Sequence, residues 1–312
     1  MIKNKKIRVG IIGGGFGYYG HYKAFQKINC CEVIAIATKR KIKISKKIKI
    51  YSDPKKLIKD ENLDLISIAT MPKVQQTLLT EIIKKDLNLF IEKPLGVNNL
   101  KFSNKLSQIK KSKVAVNFTF PEIDEFKYLK KKFITQKIKD ISINWFFDSS
   151  LNESNIWKNK KSLGGGIIFN YFSHALYYIE FLFGKIIKIK KIKKTKSLFY
   201  CKIFTENNKK ILFKLNSKSK TEKKHEIILL NSQLIKLLSS DPMRFDKFDV
   251  YKKDKKILIP KLKKKHGKDV RFIYIAILLK RFIKSIKNNL NFNPNYLDGL
   301  KNLKWINKIE KI

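Results

Sequence analysis

"RVGIIGGGFGYYGH", residues 8–21, decides how the first third of this chain folds. An apolar run, Ile7–Ile12, is followed at once by Gly13, Gly14, Gly15, Gly17 and Gly20, and then by a helical stretch to about Lys27. A buried strand that turns through glycines into a helix is the context a dinucleotide site requires. The glycines permit a tight turn and let the main chain approach a pyrophosphate, while the helix N-terminus presents N–H groups and a positive dipole to it. Two registers fit: Gly15-x-Gly17-x-x-Gly20 is complete, whereas Gly13-x-Gly15 ends on Tyr18, and Phe16 lies inside both. The pattern gains its weight from the strand before it and the helix after it.

Working outward, the first 120 residues alternate short apolar runs with amphipathic stretches. The runs are Ile7–Ile12, Val33–Ala37, Ile48–Tyr51, Leu65–Ala69, Leu89–Ile91 and Val114–Val116, with helices expected at Pro54–Lys59 and Val74–Lys85. Near-continuous apolar runs separated by helices mean parallel strands buried on both faces. We therefore expect an α/β fold, with an N-terminal Rossmann doubly wound parallel sheet over residues 1–119.

"VIAIATKRKIK", residues 33–43, ends the second run on Thr38, Lys39 and Arg40. A carboxylate at this place would bond both ribose hydroxyls and repel a 2′-phosphate. A hydroxyl followed by two cations does the reverse. NAD(P) is the expected cofactor, with NADP favoured over NAD. The expected cofactor-binding residues are Gly13, Gly15, Phe16, Gly17, Gly20, Thr38, Lys39, Arg40 and Thr70, together with Glu92 and Lys93.

Beyond residue 120 the pattern changes. Ile141–Phe147 alternates, and β-like runs follow at Ile186–Ile192, Leu198–Phe204, Ile211–Leu215, Glu226–Leu230, Leu234–Leu237 and Phe248–Tyr251. Few helical stretches separate them, so residues 120–312 are expected to hold an α/β domain with a large, mostly antiparallel sheet. Helices return after about residue 268, and these can pack back on the first domain. Residues 217–224 and 252–268 read as lysine-rich loops.

The 312 residues carry a formal charge of +45, and 43% are apolar. The lysines are spread over both halves rather than gathered into an arm or interleaved with stacking aromatics, so the surplus reads as compositional drift and no nucleic-acid partner is expected. Cys30, Cys31 and Cys201 form neither a disulfide framework nor a metal-ligand spacing, and no metal is expected. The longest apolar stretch, "FIYIAILL" at 272–279, is too short for a membrane span. A cytoplasmic protein without membrane attachment follows as the expectation.

Two further stretches carry chemistry. "LNLFIEKPLG" ends the fifth strand with Glu92-Lys93-Pro94, at the carboxyl edge where ligands of parallel sheets bind. A lysine there can stabilise a developing alkoxide, with Glu92 orienting it. "SLGGGIIFNYFSHALYYIEFLFG", 162–184, reads as a glycine loop and a buried helix from about Ile167 to Phe183, stopped by Gly184. Asn170 and His174 are four apart on one face, and imidazole suits proton transfer near neutrality.

With these residues in view, the chain resembles the Gfo/Idh/MocA family of sugar oxidoreductases. The resemblance rests on the glycines at 13–20, "EKP" at 92–94, "GGG" at 164–166 with His174 beyond it, and "NPNYLDGLKNL" at 293–303. It implies that Lys93 and His174 flank the substrate carbon over a nicotinamide, with Asn170 as a third catalytic position. It also implies a homo-oligomer formed through the C-terminal sheet. The family commonly has Asp where this chain has Asn170, so the imidazole lacks a neighbouring charge there. "NFTFPEIDEF" (117–126) and "IWKNKKSLGGG" (156–166) look similar to members acting in surface-polysaccharide synthesis. That points to a sugar or nucleotide-sugar substrate, with Asn117, Trp157, Lys158 and Asn170 as substrate-binding candidates. The expected activity is hydride transfer between nicotinamide and a carbinol or carbonyl carbon. The alternatives are a redox-neutral, NAD-assisted elimination or glycoside cleavage, and a non-catalytic cofactor-binding or basic nucleic-acid-binding protein.

Overall fold

The structure is a computed structural model, and it describes residues 5–98, 105–109, 111–134, 138, 140–149, 156–231, 233–260 and 269–311. The chain divides into two compact units. The first comprises Met1–Phe118, Ser162–Gly164 and Phe272–Ile312, and the second Thr119–Lys161 and Gly165–Arg271. The partition differs from a single cut after residue 119. The chain returns to the first unit briefly at Ser162–Gly164 and again from Phe272 onward.

The first unit is built on six parallel strands: β1 (Ile7–Ile12), β2 (Cys31–Ala37), β3 (Lys49–Tyr51), β4 (Leu65–Ile68), β5 (Asn88–Ile91) and β6 (Val114–Val116). Their spatial order is β3-β2-β1-β4-β5-β6. The strands reverse direction of travel across the sheet between β1 and β4, which makes that junction the switch point where a parallel sheet opens a ligand crevice. Every residue of β4 and β6 is buried, which explains why these strands read as unbroken apolar runs.

Helix α1 follows β1 as a π-helical turn, Gly17–Tyr22, continued by Lys23–Phe25. Helices α2 (Pro54–Asp60) and α3 (Pro72–Lys84) each begin on a proline, whose fixed φ and missing N–H suit the first helical position. Asp53 caps α2 by accepting from the Lys55 N–H. One face of the sheet is closed by the helix that begins at Arg271 and ends at Lys287, called α6 below. Its Ile275, Leu278, Leu279 and Phe282 join Val9, Ile11, Phe25 and Phe90 in one buried cluster. The last helix, α7 (Tyr296–Lys311), packs against β6, and Asn307 donates to the Val97 carbonyl.

The second unit holds α4 (Asp124–Phe133), α5 (Ser173–Phe183) and eight strands. The strands are β7 (Asp140–Phe146), β8 (Ile186–Lys194), β9 (Leu198–Thr205), β10 (Lys210–Asn216), β11 (Lys224–Leu230), β12 (Leu234–Ser239), β13 (Phe248–Lys252) and β14 (Lys255–Ile257). The order is β14-β13-β12-β11-β7-β10-β9-β8, antiparallel except for the parallel pair β7/β10. Alternation is clean in β9 and β12, whose inward residues such as Phe199, Cys201, Ile235 and Leu237 are buried. The edge strand β8 carries exposed Lys188, Lys190, Lys191 and Lys193, charges that discourage pairing of an open edge with another chain.

Two readings of the sequence are corrected here. The segment 252–268, read as loop, contains β14, because Lys253 and Asp254 at positive φ make a tight turn that returns the chain onto β13; residues 261–268 lie outside the described residues. Lys224, placed in a loop, opens β11, where it pairs with Phe146 of β7. Among the described residues, no helix is long and apolar enough to cross a membrane.

Because α6 supplies much of the first unit's core, Phe282→Ala should destabilise that unit by about 3–5 kcal/mol. Urea unfolding followed by circular dichroism measures it. A loss under about 1 kcal/mol would mean that the helix is not an integral part of the unit.

Candidate functional site

In the first unit, the carboxyl ends of β1, β2, β4, β5 and β6 bring together most of the residues singled out from sequence. Gly13 follows β1 with φ +130°, and a β-carbon there would lie 2.3 Å from the Ala69 carbonyl oxygen. Only glycine tolerates both the conformation and the approach. Its N–H donates to Ala37 at 3.0 Å, while the Ala69 N–H donates to Ile12 at 2.8 Å, so the turn is tied to the ends of β2 and β4.

The two registers of the glycine pattern are resolved by what each glycine touches. Gly13 makes the strained turn, and Gly15 has only the Arg40 guanidinium near it, with Nη1 3.5 Å from where its β-carbon would stand. Close packing of helix on strand falls on Gly17, against Ile11, Ala69 and the Ile12 carbonyl. Gly20 leaves room for the ring of Phe16. The three roles thus fall on Gly13, Gly15 and Gly17, and the residue between the last two begins the helix. The π-helical turn supplies the altered spacing, since its i→i+5 bonding widens the first turn.

Thr38, at the end of β2, sends its hydroxyl toward the glycine turn: a β-carbon on Gly14 would stand 1.8 Å from Oγ1. The same oxygen accepts from the Arg40 N–H at 2.9 Å, which holds the exposed Lys39-Arg40 pair beside the turn. Thr70 lies past the end of β4, half-buried. These residues fit a dinucleotide: glycines clear the way to a helix N-terminus, and cations without a carboxylate stand at the ribose end of β2.

Glu92 is the most heavily bonded of the residues singled out. Its N–H donates to Ile68 at 2.9 Å, and its carbonyl accepts from the Gln75 amide at 3.0 Å. Its Oε1 lies 2.9 Å from His21 Nε2 and also accepts from the side-chain amide of Asn117. His21 Nδ1 lies 2.7 Å from the Ser67 hydroxyl, and the imidazole is fully buried between Phe16 and Phe90. Lys93 follows directly, joined to Pro94 by a cis peptide. Asn117, a substrate candidate from sequence, is 3% exposed and engaged with Glu92. His21, Ser67 and Gln75 were not singled out from sequence. His21 and Gln75 bond to Glu92 from 71 and 17 residues away, Ser67 bonds to His21 from 46 residues away, and no local pattern links them.

In the second unit, the expected single helix is a π-helical segment, Ile168–Phe172, followed by α5. Asn170 lies in the π segment and His174 in the first turn of α5. The Asn170 amide donates to the Lys158 carbonyl at 3.1 Å, and the Gly166 N–H donates to the same oxygen at 2.7 Å. A β-carbon on Gly165 would lie 2.4 Å from that carbonyl, so the short helical turn Ile156–Asn159 sits on the glycine loop at contact distance. Trp157 is half-buried in this turn. Burial, and secondarily the charge of Arg271, pushes the Lys158 ammonium below its ordinary value.

His174 stands against Phe120, with centroids 5.3 Å apart, and Trp145, at 6.3 Å. Behind them, His225 is fully buried, stacked on Trp145 at 4.3 Å, with Nε2 3.0 Å from the Tyr178 hydroxyl. Burial drives its pKa from 6.5 down to about 3, so His225 is neutral wherever the protein is folded near neutrality.

Comparison with known proteins bears on this geometry. Residues 7–120 match the model of the Gfo/Idh/MocA oxidoreductase family, NAD-binding Rossmann fold. An uncharacterized oxidoreductase of Synechocystis sp. is 24% identical over 197 residues, 59% of this chain and 53% of the relative, so the match spans about half of that relative's length. Levoglucosan dehydrogenase, solved with NADH and L-sorbose, has a TM-score of 0.82 at 14% identity, covering 98% of this chain and 96% of that one. The WlbA dehydrogenase of Bordetella pertussis, solved with NADH and UDP-GlcNAcA, has 0.77 at 13% identity over 100% and 96%. The myo-inositol 2-dehydrogenase of Lactobacillus plantarum has 0.76 at 15% over 98% and 97%. At these identities the likeness shows a shared fold.

The pKa of His225 sets a sign for pH dependence. Between pH 6.5 and about 3 the unfolded chain protonates this imidazole and the folded chain does not, so stability falls as pH falls, by about 1.4 kcal/mol per pH unit. Urea titrations at pH 6 and 5 should give a steeper loss for the wild type than for His225→Gln. Equal slopes would show that the imidazole is solvated.

Proposed function

We propose that this chain is an NAD(P)-dependent dehydrogenase of a sugar or nucleotide sugar, starting from the match of residues 7–120 to the model of the Gfo/Idh/MocA oxidoreductase family, NAD-binding Rossmann fold. The observation that carries the reading is the meeting, at the carboxyl edge of one parallel sheet, of the Gly13–Gly17 turn and the anchored Glu92-Lys93-Pro94 turn. The fold is shared with dehydrogenases solved with NADH and a sugar or a nucleotide sugar, which supports the substrate class.

In this reading Gly13, Gly15, Phe16, Gly17 and Gly20 admit the pyrophosphate, and Thr38, Lys39 and Arg40 receive the adenosine ribose. A nicotinamide held there would supply the hydride chemistry at the carbinol carbon. Lys93 places a cation at the substrate oxygen, favouring the alkoxide character that develops as hydride departs. His174 takes the hydroxyl proton in oxidation and returns it in reduction. Asn170 holds the glycine loop through Lys158, and Trp157 and Lys158 line the substrate side. An amide at position 170 cannot carry the charge that would stabilise a protonated imidazole at His174. The reading places the protein in the cytoplasm, self-associated through the outer face of its eight-stranded sheet.

A panel of free sugars and nucleotide sugars with each nicotinamide cofactor, followed at the absorbance of the reduced cofactor, tests the proposal. Lys93→Ala should lower turnover on the order of 10²-fold or more while changing the NADH dissociation constant only a few-fold. Full turnover in that variant would remove Lys93 from the chemistry.

NADP is the favoured cofactor. NADPH should bind more tightly than NADH, and Arg40→Ala should weaken NADPH by about tenfold with little effect on NADH. Tighter NADH binding by the wild type overturns this preference.

A further inference from the structure

We propose that His21 is a positioning residue for the Glu92-Lys93-Pro94 turn, its Nε2 donating to Glu92 Oε1 and its Nδ1 accepting from the Ser67 hydroxyl. The proposal rests on the function proposed above for its catalytic consequence, but not for its geometry.

Glu92 is held at three points. Its main chain is clamped on one side by Ile68 at the end of β4 and on the other by Gln75 of α3. Gln75 reaches on to the Gly96 N–H at 3.1 Å with its Oε1, so one buried amide spans the turn from Glu92 to Gly96. The carboxylate is the third point, and its Oε1 receives the donors of His21 and Asn117. Those donors come from α1 and from the residue after β6, on opposite sides of β5 in the sheet order.

The identity of residue 21 matters because of its two partners. Ser67 is fully buried on β4 and Glu92 is nearly so, with 13% of its side chain exposed. A buried hydroxyl and a buried carboxylate facing each other across a gap are joined by a bridge that accepts from the first and donates to the second. The imidazole does this with both ring nitrogens, 2.7 and 2.9 Å from the two oxygens. The aromatic edges of Phe16 and Phe90 fix the ring plane, so the bridge has one orientation. An apolar residue would leave a buried carboxylate short of a donor, a cost larger than the bond itself is worth.

Glutamine is the discriminating substitution, because its amide can donate to Glu92 and accept from Ser67 without an ionisable ring. The experiment is hydrogen–deuterium exchange of the full-length protein without ligand, comparing peptides covering 88–98 with a reference peptide in β4. His21→Leu should speed exchange in 88–98 by about tenfold over any change in the reference, the scale of one lost charge-assisted hydrogen bond. Glu92→Gln should do the same, the double variant should be no faster than either single one, and His21→Gln should stay near the wild type. Additive effects, a Gln variant as fast as the Leu variant, or acceleration equal in the reference peptide would each overturn the proposal.

With a substrate in hand, His21→Leu should lower kcat more than it raises the KM for the nicotinamide cofactor, and His21→Gln should restore kcat. A wild-type protein that binds no NAD(P) sinks the function proposed above and leaves the exchange result to decide this inference alone.

Discussion

The contact on which the first unit depends is the pressing of Gly13 onto the carbonyl of Ala69. At that point the strand order switches between β1 and β4, and the chain must leave the sheet within a single residue. A side chain would force the two strand ends apart, and the hydrogen bonds from Gly13 to Ala37 and from Ala69 to Ile12 would go with them. Because the turn is that tight, α1 begins immediately beneath it, with Gly17 against Ile11. Four residues further along, His21 arrives over β4 and β5, where Ser67 and Glu92 wait. The glycine turn and the Glu-Lys-Pro turn are therefore one construction: the first aims the helix whose imidazole anchors the second.

The sequence made the parallel strands plain and the bonds between them invisible, for physical reasons. A strand buried on both faces favours apolar residues throughout, so β6 is bounded in the sequence where it is bounded in space. The helix α5 was equally legible, because Gly184 ends it and little of its surface is polar. Helix α4 was not: among its ten residues are four lysines and two acids, and its buried positions, Glu125, Phe126, Leu129 and Phe133, include a carboxylate. Strand β14 is too short and too rich in lysine to show a period. That the last helices can pack back on the first unit was read from sequence as an expectation, but the brief return at Ser162–Gly164 was not. Periodicity says that residues 271–287 form a helix but not which sheet the helix covers, and the answer lies in Phe282 meeting Phe90, 192 residues earlier.

The same limit applies within the candidate site. Glycines, Glu92, Lys93 and His174 are visible because each stands in a recognisable local pattern. His21 sits beside the last glycine of the pattern, yet nothing around it signals a buried carboxylate partner. Asn117 was singled out as a substrate candidate through the likeness of "NFTFPEIDEF" at 117–126, and it follows β6 at the ligand edge. Its place there is real, but its amide is directed sideways into Glu92. A residue's position on an edge is set by the period of its strand. The direction of its hydrogen bonds is set by neighbours brought in from elsewhere.

The surplus of lysine is compatible with this architecture because the lysines stand where an added charge is cheap. Lys188, Lys190, Lys191 and Lys193 occupy the open edge strand, and Lys202 and Lys214 project from the half-buried face of their strands. Where the chain does bury polar groups, it uses neutral or paired ones: His225 is held neutral, and Glu92 has two donors on one oxygen. Among the described residues, π-helical segments fall at Gly17–Tyr22 and Ile168–Phe172. A π turn costs hydrogen-bond geometry and persists where the surroundings impose it. Around the first, Gly17 packs on Ile11 while His21 bonds to Glu92; around the second, Gly166 and Asn170 share the carbonyl of Lys158.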